Sequence, residues 1–272
     1  MESTAAAVLL VCDIQERFKD AIWHFDVVAK SAAFLADVCT ELGVEAIATE
    51  QVPEKLGHTV AEVASALSRN AAAIEGAKAA AAAAAAAVAG TDIDDSDDLD
   101  CEVDDDTGAD CEDKASAAAP GGPAPQMKPL VAVAKSSFSM LVPAVRSRLA
   151  AMAREGQSAA CAGGPSLAGL TVVLVGIESH VCVQQTACAL LAAGARVLVP
   201  ADGVSSSRPA EHSRALRHLS ARGADVVSCE SVAFELLGSA AHPAFRAVQR
   251  LVKARAAAMD AAAAALLAGS TA

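Results

Sequence analysis

The chain has 272 residues, enough for one large domain or two small ones, and 54% of them are hydrophobic, enough for a substantial core. No apolar run reaches the roughly 18–20 residues a membrane span needs, so no membrane partner is expected. The net charge of −12 is local: residues 75–128 hold 14 acidic and 3 basic side chains, leaving 19 against 18 elsewhere and no basic surface for nucleic acid.

Ala5–Asp13 reads as a buried strand ending in a carboxylate, and its early start leaves no room for a targeting peptide. Phe25–Leu42 has helical spacing, with Val28, Phe34, Leu35, Val38 and Leu42 apolar and Gly43 closing it. Val44–Thr49 is a second strand, followed by the polar loop Glu50-Gln51-Val52-Pro53. Thr59 to about Ala73 is helical, with Val60, Val63 and Leu67 on one face. Residues 75–128 break the rhythm: an Ala tract, an Asp-rich block and a Pro/Gly stretch that has too few large apolar side chains to offset ordering entropy. This block also fails as a calcium loop, because counting from Asp92 puts Asp97 and Val103 where Gly and Glu are required.

Leu130–Val133 is a third strand, ending at Ala134-Lys135, and Pro143 to about Arg154 a helix. Val172–Val175 is a continuous apolar run of the kind a doubly covered parallel strand requires. Gly176 ends that run, Ser179 is a candidate N-cap, and a helix carrying Val183, Ala187, Leu190 and Leu191 on one side runs to Gly194. Arg196–Pro200 and Asp225–Ser228 are further strands, and Pro209–Arg222, Ser231–Leu237 and His242–Ala256 further helices. Short apolar strands alternating with helices predict an α/β fold, a doubly wound (Rossmann-like) parallel sheet with helices on both faces. The domain is expected over 5–256, interrupted by the disordered insertion 75–128 and followed by an Ala-rich tail, 257–272.

Three chemically useful residues, Asp13, Lys135 and Cys182, fall at or just beyond predicted strand ends. In a doubly wound sheet those ends share one edge and converge at the switch point. Each alone has a plain structural explanation: a turn cap, a solvated charge, a small buried thiol. Together an acid, a cation and a thiol make a nucleophilic site. Cys182 lies in the first turn of its helix, where unpaired N–H groups and the helix dipole favour thiolate chemistry. The eight cysteines show neither CxxC nor Cys/His spacing, so zinc and disulfide frameworks are not expected, and the reading is a reducing, cytoplasmic protein.

VCDIQERF (11–18), ATEQVPEKLG (48–57), KSSFSM (135–140) and GIESHVCVQQTA (176–187) resemble the isochorismatase-like hydrolase superfamily, and most of all the eukaryotic isochorismatase domain-containing proteins. The resemblance covers roughly 7–74 and 128–253. It implies a six-stranded parallel sheet, a catalytic triad of Asp13, Lys135 and Cys182, and a non-proline cis peptide at Ile177–Glu178 beside an oxyanion site. It further implies covalent hydrolysis of an amide-type bond through a thioester. Phe18, Glu50, Gln51, Phe138, Ser179 and His180 are candidates for the substrate pocket. His180 is two residues from Cys182 on one helix, so the two side chains do not face each other. The metal-binding Asp-x-His of nicotinamidases is replaced here by Thr49-Glu50-Gln51, so no metal and no cofactor are expected. Cys182 points away from isochorismate, whose vinyl ether needs no thiol, although that activity stands as an alternative. A homo-oligomer acting on a small molecule is expected. A non-catalytic interaction protein, with the acidic insertion as its binding element, is the competing class.

Overall fold

The computed structural model describes residues 6–89, 132–155, 166–258 and 261–268. In chain order the elements are β1 (Ala6–Cys12), α1 (Phe25–Leu42), β2 (Glu45–Gln51), α2 (Pro53–Leu56), α3 (Ala61–Ala89), β3 (Ala132–Lys135) and α4 (Pro143–Glu155). There follow β4 (Leu170–Ile177), a π turn (Ser179–Val183) running into α5 (Gln184–Ala192), β5 (Arg196–Pro200), β6 (Val204–Ser205) and α6 (Pro209–Ala221). The remainder is β7 (Asp225–Val227), α7 (Cys229–Leu237), α8 (Phe245–Ala258) and α9 (Ala261–Ala268).

Among the described residues these strands form one parallel, seven-stranded sheet in the order β3-β2-β1-β4-β5-β7, with β6 paired to β4 off that path. The count exceeds the expected six because of β6, two residues long and too short to leave a pattern in the sequence. Alternation along the strands splits the core in two. Leu9, Val11, Ala46, Ala48, Val173 and Val175 face α1, α3, α7 and α8. Val8, Leu10, Cys12, Ile47, Val172 and Leu174 face α4, α5 and α6. With both faces covered, β1 and β4 must be apolar throughout, which is why they were legible as unbroken runs.

Several element boundaries differ from the sequence reading. Gly176 lies within β4 and does not end it. The third strand ends on Lys135 itself, and residues 130–131 of the expected strand lie outside the described residues. The helix expected to stop near Ala73 continues to Ala89. Its buried positions end at Ile74, and residues 75–77 and 79–84 are exposed. From Glu75 to Ala84 the helix is exposed apart from Lys78, and alanine's helix propensity, the highest of any residue, favours it there. The rest of the insertion, 90–128, lies outside the described residues, as do residues 129–131. In the tail, α9 docks on the domain, with Leu266 fully buried. No described helix is long and apolar enough to cross a membrane.

Because the last described buried position of α3 is Ile74 and Lys78 adds one partly exposed pair to Glu45 (3.4 Å), residues 79–126 should be dispensable for folding. Lengthening a flexible connection costs only about 0.6 kcal/mol per doubling. Replacing 79–126 with a short Gly/Ser linker should keep the melting temperature within a few degrees. A much larger drop, read by calorimetry, would show that the segment packs on the domain.

Candidate active site

The chain runs outward from β1 to β2 and β3, then crosses back to β4 on the other side of β1. The switch point therefore lies between β1 and β4, and the segments leaving these two strands carry Asp13 and Cys182. Cys12 is in register with Gly176. A Cβ on Gly176 (φ 119°) would lie 2.1 Å from the Cys12 carbonyl oxygen, so only glycine lets the two strands close here. Asp13 follows with φ 53°, a left-handed conformation that aspartate tolerates better than most residues. Its carboxylate accepts from Thr49 Oγ1 (2.8 Å) and from Lys135 Nζ (2.6 Å).

Lys135 comes from β3, two strands from β1 and thus about 9–10 Å across the sheet at normal strand spacing. Only a long side chain spans that gap. On the way its ammonium donates to Gln51 Oε1 (2.7 Å) from the intervening β2, and to the Ser137 and Phe138 carbonyls (3.0 and 3.1 Å). The ammonium and the Asp13 carboxylate are both fully enclosed. A buried pair of this kind holds only while every donor and acceptor is matched, as here.

Sequence reasoning missed the residues that hold this arrangement. Gln15, fully buried, donates to the Gln51 and Gly57 carbonyls (3.1 and 2.6 Å) and accepts from the Gln51 N–H (2.7 Å). Val52 adopts φ 39°, rare for a β-branched residue, and donates its N–H to the Lys135 carbonyl (2.9 Å). Thr186 accepts from the Met140 N–H (2.9 Å) and donates to the Cys182 carbonyl (2.7 Å), joining the loop after Lys135 to the turn that carries Cys182. Only Gln15, a buried amide inside the motif Asp13-Ile14-Gln15, left a signal in the sequence.

Cys182 sits in the π turn between β4 and α5, 8% exposed. Its Sγ, the Sγ of Cys12 and a carboxylate oxygen of Asp13 all lie within 4.8 Å of one another. The Ile177–Glu178 peptide preceding the turn is cis. The Val181 and Val183 N–H groups donate to the Glu178 carbonyl (3.0 and 3.2 Å). Ser179 is not the N-cap. Glu178 holds that position, and the Ser179 hydroxyl is fully buried against His212 Nδ1 (3.0 Å). Because His212 Nε2 faces the Leu266 carbonyl (3.3 Å), Nε2 carries the proton and Nδ1 accepts from Ser179. Desolvation pushes the His212 pKa below its usual value, which favours the neutral ring in the folded state.

The sign of the resulting pH dependence follows. Unfolded chain binds a proton at His212 more readily than folded chain does, so stability is full above the unfolded value, about 6.5, and falls as pH drops below it. The urea midpoint should therefore decline from pH 7 to pH 5.5, and less steeply in His212→Gln. Equal slopes in the two proteins would remove His212 as the source.

The other sequence candidates divide. Gln51 is at the site. Glu50 is turned away: its Oε1 accepts from the Thr59 N–H and hydroxyl (2.7 and 2.8 Å), and its Oε2 pairs with His58 Nδ1 (3.0 Å). Burial alone would raise the Glu50 pKa, but those hydrogen bonds outweigh it and hold it below the usual value. Phe138 is 52% exposed beside the Lys135 loop, and Phe18 packs on the core. His180 Nδ1 meets Ser206 Oγ (3.0 Å). A further strand-end acid, Asp202, is consumed by structure, bound to Arg255 (2.5 Å) and to the Cys229 N–H (2.8 Å). Among the described residues, Cys12, Asp13 and Cys182 are a group with metal-ligand chemistry. The Lys135 ammonium, 2.6 Å from the same carboxylate, opposes a second cation there.

A family model described as "Isochorismatase domain" matches residues 7–231. The chain belongs to the isochorismatase family. It is 28% identical over 253 residues to isochorismatase domain-containing protein 1 of Salmo salar, covering 93% of this chain but only 62% of the relative. It is 29% identical over 250 residues to isochorismatase domain-containing protein 2 of Danio rerio, covering 92% and 88%. Among solved structures, this isochorismatase domain is similar to a MAR1 ribonuclease from Caenorhabditis elegans, with TM-score 0.61, 25% identity and coverage of 92% and 91%. It shares the fold alone with the YcaC gene product of Escherichia coli, an octameric hydrolase of unknown specificity (TM-score 0.53, 12% identity, coverage of 94% and 97%).

Proposed function

We propose that this isochorismatase-family protein is a cysteine hydrolase that cleaves an amide-type C–N bond of a small polar molecule. The observation that carries the reading is the cluster of the Cys182 thiol and the Asp13 carboxylate within 4.8 Å, with Lys135 on that carboxylate at 2.6 Å. Asp13 takes the Cys182 proton and the thiolate attacks the carbonyl carbon. Backbone N–H groups near Cys182 and the Ile177–Glu178 peptide hold the oxyanion, each donor contributing about 2.7–4 kcal/mol. Asp13 then protonates the leaving nitrogen, the C–N bond breaks, and a thioester remains. A water activated by Asp13 hydrolyses it and restores the thiol. Lys135 keeps Asp13 oriented and balances its charge throughout.

Cleavage of RNA is not proposed. Outside residues 75–128 the charges nearly cancel, which gives a polyanion no electrostatic footing. The test is ammonia release from a panel of small amides, ureas and ureido acids, run with wild type and Cys182→Ala, with and without EDTA. Release should depend on Cys182 and be indifferent to the chelator. Turnover lost to EDTA and restored by zinc would replace the thiol mechanism with a metal one.

A further inference from the structure

Cys12 has no part in the reaction proposed above, yet its thiol is inside the site. It is the last residue of β1, and strand alternation turns its side chain towards α4–α6, the face on which Cys182 also packs. Its Sγ lies 3.5 Å from Asp13 Oδ2 and within 4.8 Å of the Cys182 sulfur. The two thiols differ in access: Cys12 is 0% exposed and Cys182 is 8% exposed. A small oxidant entering from solvent therefore meets Cys182 first. Burial, then the neighbouring Cys182 and Asp13, hold the Cys12 thiol protonated well above the ordinary range, which makes it a poor first target.

We propose that Cys12 and Cys182 form a peroxide-responsive dithiol, in which Cys12 resolves oxidised Cys182 into a reversible intramolecular disulfide. The proposal rests on Cys182 being the nucleophile of the site. In the first step the Cys182 thiolate, its proton held by Asp13, attacks one oxygen of a hydroperoxide. The O–O bond breaks, the leaving oxygen takes the proton back from Asp13, and sulfur is oxidised by two electrons to the sulfenic acid. For hydrogen peroxide the other product is water. In the second step Cys12 passes its proton to Asp13, which sits against its sulfur, and attacks the Cys182 sulfur. The S–S bond forms, the S–O bond breaks, and the departing hydroxide leaves as water with the proton from Asp13. Asp13 ends unchanged in both steps.

To form the bond the sulfurs must close from within 4.8 Å to about 2.05 Å. The disulfide blocks hydrolysis by tying up the nucleophile. It also keeps Cys182 from the irreversible sulfinic and sulfonic acids, and thiol reductants restore it.

The experiment uses the reduced full chain. Iodoacetamide labelling of Cys182, compared with that of buried Cys39, first establishes whether Cys182 is reactive. The protein is then exposed to hydrogen peroxide, blocked, digested and analysed by mass spectrometry. The expected result is a peptide pair joined through Cys12 and Cys182, two hydrogens lighter than the reduced pair and released by dithiothreitol. In Cys12→Ala the same treatment should give several-fold more dimedone-trapped Cys182 sulfenic acid, followed by sulfinic acid that dithiothreitol does not reverse. Cys12→Ser serves the same purpose if the alanine variant does not fold, and the wild-type linkage needs neither. If Cys182 labels readily but no joined pair forms, and dimedone trapping is the same in wild type and variant, the dithiol is refuted and the nucleophile stands. A pair joining Cys182 to any other cysteine also refutes it. If Cys182 labels no faster than Cys39, the nucleophile falls and the dithiol falls with it.

Discussion

Cys182→Ala should lower turnover of any substrate found by at least about 10⁴-fold, the scale on which removal of a covalent nucleophile acts, while the melting temperature stays within a few degrees. The side chain is small, so deleting its one sulfur leaves only a small cavity. Asp13→Asn should be as damaging to turnover, because the amide accepts no proton from the thiol. Lys135→Met should differ from both. It leaves the Asp13 carboxylate buried without its cation, a cost of about 3–5 kcal/mol, so activity and stability should fall together. The contrast is what tests the assignment, since a merely structural Cys182 would leave turnover intact. Measurable activity in Cys182→Ala near the wild-type level would end the cysteine mechanism.

Gly176→Ala should be the most damaging single methyl in the chain. The added carbon would sit 2.1 Å from the Cys12 carbonyl oxygen and 2.7 Å from its nitrogen, both backbone atoms in the strand beside it. No rotamer relieves that contact, and φ 119° is itself closed to alanine. Overpacking alone costs about 1–3 kcal/mol, and the backbone conflict adds to it. A loss beyond 3 kcal/mol corresponds to roughly 6–12 °C for a domain of this size. The same shift would pull β1 from β4 at the switch point and separate Asp13 from Cys182, so iodoacetamide labelling of Cys182 should change as well. A Gly176→Ala protein that melts within two degrees of wild type would show that the strands part without cost.

Local pattern alone determined the α/β class, both core strands, helix α1 to the residue, and three strand-end residues with the chemistry of a nucleophilic site. These are properties of short runs: an apolar stretch, a helical period, a glycine stop. The two-residue strand β6, the reach of α3 into solvent and the docking of α9 were not legible, because two residues carry no period and alanine carries no face. The partners of the site were decided only in three dimensions. Asp13 and Lys135 stand 122 positions apart, and they meet because β3 lies two strands from β1 with Gln51 between them. Glu50 and Ser179 look like pocket residues in sequence but are turned to Thr59 and His212. Cys12 reads as one more apolar residue of β1. Only the parity of that strand, set against the face α5 covers, brings its sulfur beside Cys182.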